Sequence, residues 1–128
     1  MKPFLVCLTL VLLAAPALYA QKSTEKAKVL RHVVLFKFKD NATADNVQKV
    51  EDAFRKLKPK ISLIKDFEFG KNNSPEKLDQ GFTHCFFVTF ASEKDRDEYL
   101  VHPDHKSFVE VLTPYLDKVL VVDYWARD

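Results

Sequence analysis

Hydrophobic and polar positions change period several times along this chain, and each change marks an element. From Leu30 to Lys39 they alternate. Leu30, His32, Val34, Phe36 and Phe38 fall on one side and Arg31, Val33, Leu35, Lys37 and Lys39 on the other, which predicts a strand with one more apolar face. Asp40-Asn41-Ala42-Thr43 supplies turn and cap chemistry. The spacing of Val47, Val50, Phe54 and Leu57 then predicts a helix that stops near Pro59. Ile61 to Phe69 reads as a second strand, with Ile61, Leu63, Phe67 and Phe69 sharing a face with Lys65. Gly70 to Gly81 is a charged, proline-containing excursion, long for a hairpin connection: a lid, a dimer contact or a plain loop. Phe82 to Phe90 predicts a third strand, with Phe82, His84, Phe86, Val88 and Phe90 on one face. Ser92, followed by Asp95, starts a short polar helix that reaches Val101. Pro103 opens another, limited by Pro114 to about Thr113, and Lys118 to Trp125 closes the chain as a fourth strand.

The order is strand-helix-strand, twice. A quieter repeat agrees: His32 to Phe38 and His84 to Phe90 both read His-x5-Phe, and each is followed by a helix. Two such halves predict an α+β fold, ferredoxin-like βαββαβ, with a four-stranded antiparallel sheet and right-handed crossovers that put the helices on one side. The sheet then has a second face to hide. Val33, Leu35, Cys85, Phe87, Val119 and Val121 fall on the parity opposite the histidines and are too apolar to leave in water. Packing that face against its own copy in a twofold homodimer, as a dimeric α+β barrel, removes it from solvent.

The stretch from Tyr99 to Phe108 carries the chemistry. Pro103 suits the first turn of a helix, so His102 falls at the N-cap and His105 in the opening turn. His105 shares a helical face with Phe108, Val109, Leu112 and Leu116, and therefore points inward. Strand parity sends His32 and His84 toward the same layer. These positions predict an apolar cavity within each subunit, with Tyr99 and His105 as a candidate acid-base pair. His32, His84, His102, Phe36, Phe86 and Phe108 are its expected lining. A neutral imidazole takes a proton at neutral pH, and a phenol hydrogen-bonds a developing enolate. The plainer alternative is a set of buried histidines and a phenol that satisfy one another or nearby carbonyls. His102 and His105 stand three apart, but no carboxylate is clearly placed beside them, so neither a metal nor another cofactor is expected.

Length and charge narrow the setting. The 128 residues suffice for one domain. Residues 1–20, with Lys2, an apolar run and a small residue at Ala20, read as a secretory signal that is too short to favour a membrane span. Residues 21–28 form a polar lead-in expected to be flexible, and residues 29–127 form the domain. The expectation is a soluble exported protein, periplasmic or secreted. Lys2 is the only charge in the first 20 residues, so cleavage lowers the formal net charge from +2 to +1, which gives no electrostatic case for nucleic acid. Only Cys85 remains in the mature chain, so no internal disulfide forms and packing must supply the stability.

Leu30-Arg-His-Val-Val-Leu-Phe-Lys-Phe-Lys39, Thr83-His84 and Tyr99-x-x-His102-Pro-x-His105 together resemble the stress-responsive dimeric α/β-barrel family, often called Dabb, over residues 29–127. The resemblance implies small homodimers whose two sheets face each other in a barrel. One plant branch of that family is a polyketide cyclase that closes a linear polyketone by aldol-type condensation. By resemblance, Tyr99 and His105 stand at its reacting pair and His32 and His84 line its pocket. This chain departs in carrying an apparent export signal, whereas that branch works on intracellular intermediates. Two functions follow as expectations. The first is binding of a small hydrophobic or aromatic molecule with His/Tyr proton-transfer chemistry of the cyclase or lyase type. The second is a non-enzymatic stress or ligand-binding dimer whose histidines are structural.

Overall fold

A computed structural model describes residues 28–127. The predicted signal at residues 1–20 and nearly all of the lead-in lie outside the described residues. The elements run β1 (Leu30–Phe38), α1 (Ala44–Arg55), α2 (Leu57–Lys60), β2 (Asp66–Lys71), β3 (His84–Phe90), α3 (Glu93–Val101), α4 (Pro103–Leu112) and β4 (Leu116–Trp125). The sheet order is β2-β3-β1-β4 and every pair is antiparallel, so the fold is ferredoxin-like.

Local chemistry sets most of the boundaries. Thr43 caps α1 with a reciprocal box: its hydroxyl accepts from the Asn46 N–H at 3.2 Å, and the Asn46 side chain accepts from the Thr43 N–H at 3.1 Å. Ser92 caps α3 by accepting from the Asp95 N–H at 3.0 Å. His102 caps α4, with Pro103 in its first turn, where a missing N–H leaves no intrahelical bond unmade. The same reasoning explains why Pro59 does not end the first helical segment. It lies within the single turn of α2, among N–H groups that have no helical partner to lose.

The core lies between the helices and the β1/β3 face that carries Leu30, Val34, Phe36, Phe86, Val88 and Phe90, all buried. Phe54 of α1 anchors it, with ring centroids 4.6 Å from Phe86 and 4.4 Å from Phe108. Truncation of such a ring costs about 3–5 kcal/mol.

Two details differ from the sequence pattern. The strand expected at Ile61–Phe69 begins only at Asp66. Ile61 and Ile64 are both buried, but from a turn in which the Ile64 N–H donates to the Ile61 carbonyl, so their spacing is that of a turn and not of alternation. The second correction concerns β4. Val34 pairs with Val121 and Phe36 with Val119, which puts Val119 and Val121 on the helix side, while Leu120 and Val122 oppose Leu35 and Val33 on the open face. Four consecutive apolar residues, Val119 to Val122, hide the parity of that edge strand. The open face still joins Val33, Leu35 and Phe87 to Leu120 and Val122, which are 45% and 47% exposed. Among the described residues, no helix is long and apolar enough to cross a membrane.

Candidate functional site

A cavity of about 510 Å³ opens between the sheet and the two helices that meet at Pro103. His32 reaches it from β1, Tyr99 from the last turn of α3 and His105 from the first turn of α4. The break at His102-Pro103 is what brings the last two together, with ring centroids 4.4 Å apart. The His32 ring lies edge-on to Tyr99 at 6.0 Å. Phe36 and Phe108 supply apolar wall.

A hydrogen bond settles which nitrogen of the His105 ring carries the proton. His105 Nδ1 lies 3.1 Å from the Leu100 carbonyl, which can only accept, so Nδ1 donates and Nε2 keeps its lone pair. Burial holds the His105 pKa below the ordinary 6.5, against a smaller opposing effect of the Leu100 bond and helped by the neighbouring His32 and His102, so the ring is a neutral base at pH 7. His32 Nδ1 lies 2.6 Å from Asp123 Oδ1 and donates to that carboxylate, which fixes the ring's orientation. Tyr99 is fully buried, and its hydroxyl has no hydrogen-bond partner among the described residues. Burial drives its pKa up, so the phenol keeps its proton. The cavity thus combines the Tyr99 donor with an imidazole acceptor, His105 Nε2, the pairing needed to take a proton beside a carbonyl and stabilise the enolate that forms.

The other expected lining residues are placed elsewhere. His84 is buried and held at both nitrogens: Nδ1 lies 2.8 Å from the Thr83 hydroxyl and Nε2 2.9 Å from Glu51 Oε1. It borders a separate hollow of about 600 Å³ beneath the 72–82 loop, with Leu35, Cys85 and Phe87. Burial lowers its pKa more than Glu51 raises it. His102 is used as a cap, its Nδ1 accepting from the Asp104 N–H at 3.2 Å. Phe86 is packed into the core between Phe36, at 5.0 Å, and Phe69, at 5.2 Å, and does not reach the cavity wall. Among the described residues, no three His, Cys, Asp or Glu side chains gather as they would to hold a metal ion.

Three charged residues were not singled out by the sequence pattern. Asp123 sits directly opposite His32 in the β1/β4 register, and its second oxygen accepts from Arg96 Nη1 at 2.7 Å. Glu51 lies on the apolar stripe of α1, one residue after Val50 and three before Phe54, and is buried. A lone acid after four apolar strand residues, and another within a helix stripe, were the available signals.

The stress-responsive A/B barrel domain model matches residues 30–126. The chain belongs to this family. Within it, the stress-response A/B barrel domain-containing protein HS1 of Arabidopsis thaliana is 40% identical over 101 residues, covering 78% of this chain and 93% of that one. Olivetolic acid cyclase of Cannabis sativa is 31% identical over 98 residues, covering 77% and 97%. A crystal structure described as a dimeric protein of unknown function with a ferredoxin-like fold, from Bacteroides fragilis, superposes with a TM-score of 0.63 at 26% identity, covering 77% and 96%. This A/B barrel chain therefore shares its domain, nearly end to end, with proteins that include a cyclase.

Proposed function

We propose that this A/B barrel protein is a homodimer that takes a small, oxygenated, largely apolar molecule into the cavity of each subunit and catalyses proton transfer on it, in the manner of a cyclase or lyase. Nε2 of His105 removes the proton, the Tyr99 hydroxyl donates to the oxygen on which charge develops, and His32, steadied by Asp123, orients the ligand. The observation that carries this reading is the Tyr99 hydroxyl: fully buried, without a partner among the described residues, and beside a ring whose free nitrogen is an acceptor. A buried unpaired hydroxyl is a standing cost that a ligand oxygen removes. The similarity to olivetolic acid cyclase supports the reaction class. The exposed apolar sheet face and the dimeric Bacteroides relative support the homodimer. The apolar run before Ala20 supports export.

Turnover of linear polyketone and phenolic substrates by the protein and by Tyr99→Phe and His105→Ala tests this. Both variants are expected to lose at least about 100-fold in kcat/KM, the usual contribution of a positioned acid or base. Unchanged rates in both would remove the catalytic claim, and ligand binding without turnover would identify a binding protein instead. N-terminal sequencing of material recovered outside the producing cells tests export, with a mature start at Gln21 as the expected result.

A further inference from the structure

The wall of the cavity contains a guanidinium that the proton-transfer chemistry does not use. Arg96 of α3 donates from Nε to Asp97 Oδ1 at 2.9 Å and from Nη1 to Asp123 Oδ2 at 2.7 Å. Its Nη2 makes no hydrogen bond to another described residue, and the side chain, 20% exposed, lines the same cavity as Tyr99 and His105. A guanidinium in a ligand cavity ordinarily suggests an anionic ligand. The charge count here argues otherwise. Arg96 faces two carboxylates, Asp97 and Asp123, so with neutral imidazoles the charged lining sums to −1. Protonating His32 brings it only to zero. A carboxylate entering this cavity meets no net positive charge and leaves its hydration behind. A neutral acceptor oxygen loses far less and gains a hydrogen bond from a charged donor.

We infer that Arg96 is a specificity-determining residue, which selects ligands that present a neutral carbonyl or similar acceptor oxygen and discriminates against their carboxylate counterparts. The inference rests on the cavity being the ligand site. It assigns Arg96 a task separate from the acid-base pair: Tyr99 and His105 act on the ligand, and Arg96 reads its charge. Because two of the donors are already anchored, the guanidinium plane is held still, and little freedom is lost when Nη2 takes a third partner.

Three probes of one shape separate the possibilities: 2-acetonaphthone, 2-naphthoate and 2-ethylnaphthalene. Their dissociation constants are measured by NMR titration at pH 7.5 with the protein and with Arg96→Met. The protein is expected to bind the ketone roughly tenfold or more tightly than either the carboxylate or the hydrocarbon, the scale of one hydrogen bond to a charged group. Arg96→Met is expected to erase the ketone's advantage over 2-ethylnaphthalene while leaving the hydrocarbon's own affinity within about twofold. A purely structural Arg96 would weaken all three probes together and leave their ratio unchanged, which would overturn the inference. So would tighter binding of 2-naphthoate than of 2-acetonaphthone by the unaltered protein, a comparison that needs no variant. If no probe shifts the His105 ring resonances, the cavity is not the ligand site, and the proposed function fails with this inference. If the ketone shifts them but the ratio survives Arg96→Met, only the role of Arg96 fails.

Discussion

Replacing Tyr99 by phenylalanine separates a functional hydroxyl from a structural one, because the two roles give opposite signs of stability change. The Tyr99 ring is fully buried against Phe90, at a centroid distance of 5.0 Å, and against His105, and Phe keeps all of that packing. What is lost is a hydroxyl with no partner among the described residues. An unpaired buried hydroxyl costs about 1–3 kcal/mol in mutational series. Against this stands the space left by one oxygen. At about 24 cal/mol per Å³ and roughly 10–15 Å³, that space costs about 0.2–0.4 kcal/mol. The first effect is larger, so ligand-free Tyr99→Phe is expected to be more stable by about 1–2 kcal/mol. For a domain of this size that raises Tm by at least roughly 4 °C. Differential scanning calorimetry at one fixed protein concentration reads it, since any dimer couples Tm to concentration. The same variant loses turnover. A fall in Tm of more than about 4 °C would refute the reasoning: the hydroxyl would then make a stabilising bond, and Tyr99 would be a structural residue.

Further outcomes follow from the histidine pairs and the open face. Glu51→Ala strips the acceptor from the buried His84 Nε2 and is expected to cost about 1–3 kcal/mol by urea unfolding. The double replacement Glu51→Leu with His84→Phe should recover most of that, because both buried polar partners leave together, and failure to recover would show that the pair does more than satisfy itself. His84 has its pKa lowered in the folded state, so below about 6.5 the unfolded chain binds the proton first. Stability is therefore complete above about pH 6.5 and declines below it, by up to about 1.4 kcal/mol per pH unit for this one group, and a urea midpoint flat from pH 8 to 5 would contradict this. The lowered pKa of His105 places the acidic limb of kcat/KM below about 6.5, and a limb at or above that value would exclude it as the base. Leu120→Lys combined with Val122→Lys puts two charges on the open sheet face. It should convert a sedimenting dimer into monomers, and an unchanged dimer would move the interface elsewhere.

Alternation and repeat along the chain were enough to determine the ferredoxin-like order, the cap chemistry at Asp40 to Thr43, the helix starts at Ser92 and His102, and the inward direction of His32, His84 and His105. These depend on local rules: a period of two or of 3.6, and the demands of proline and of unpaired helix N–H groups. Tertiary structure alone decided which inward groups meet. His32 and His84 share a strand parity and a repeat, yet one faces Tyr99 while the other is taken up by Glu51 across the core. The face of Val119 and Val121 was likewise set by register against β1, because a strand of consecutive apolar residues has no pattern from which its parity can be read. Arg96 and Asp123 stand 27 positions apart, and nothing local links them. Side-chain pairing across that distance is fixed by how the sheet edge meets α3, and the charge balance of the cavity follows from that meeting.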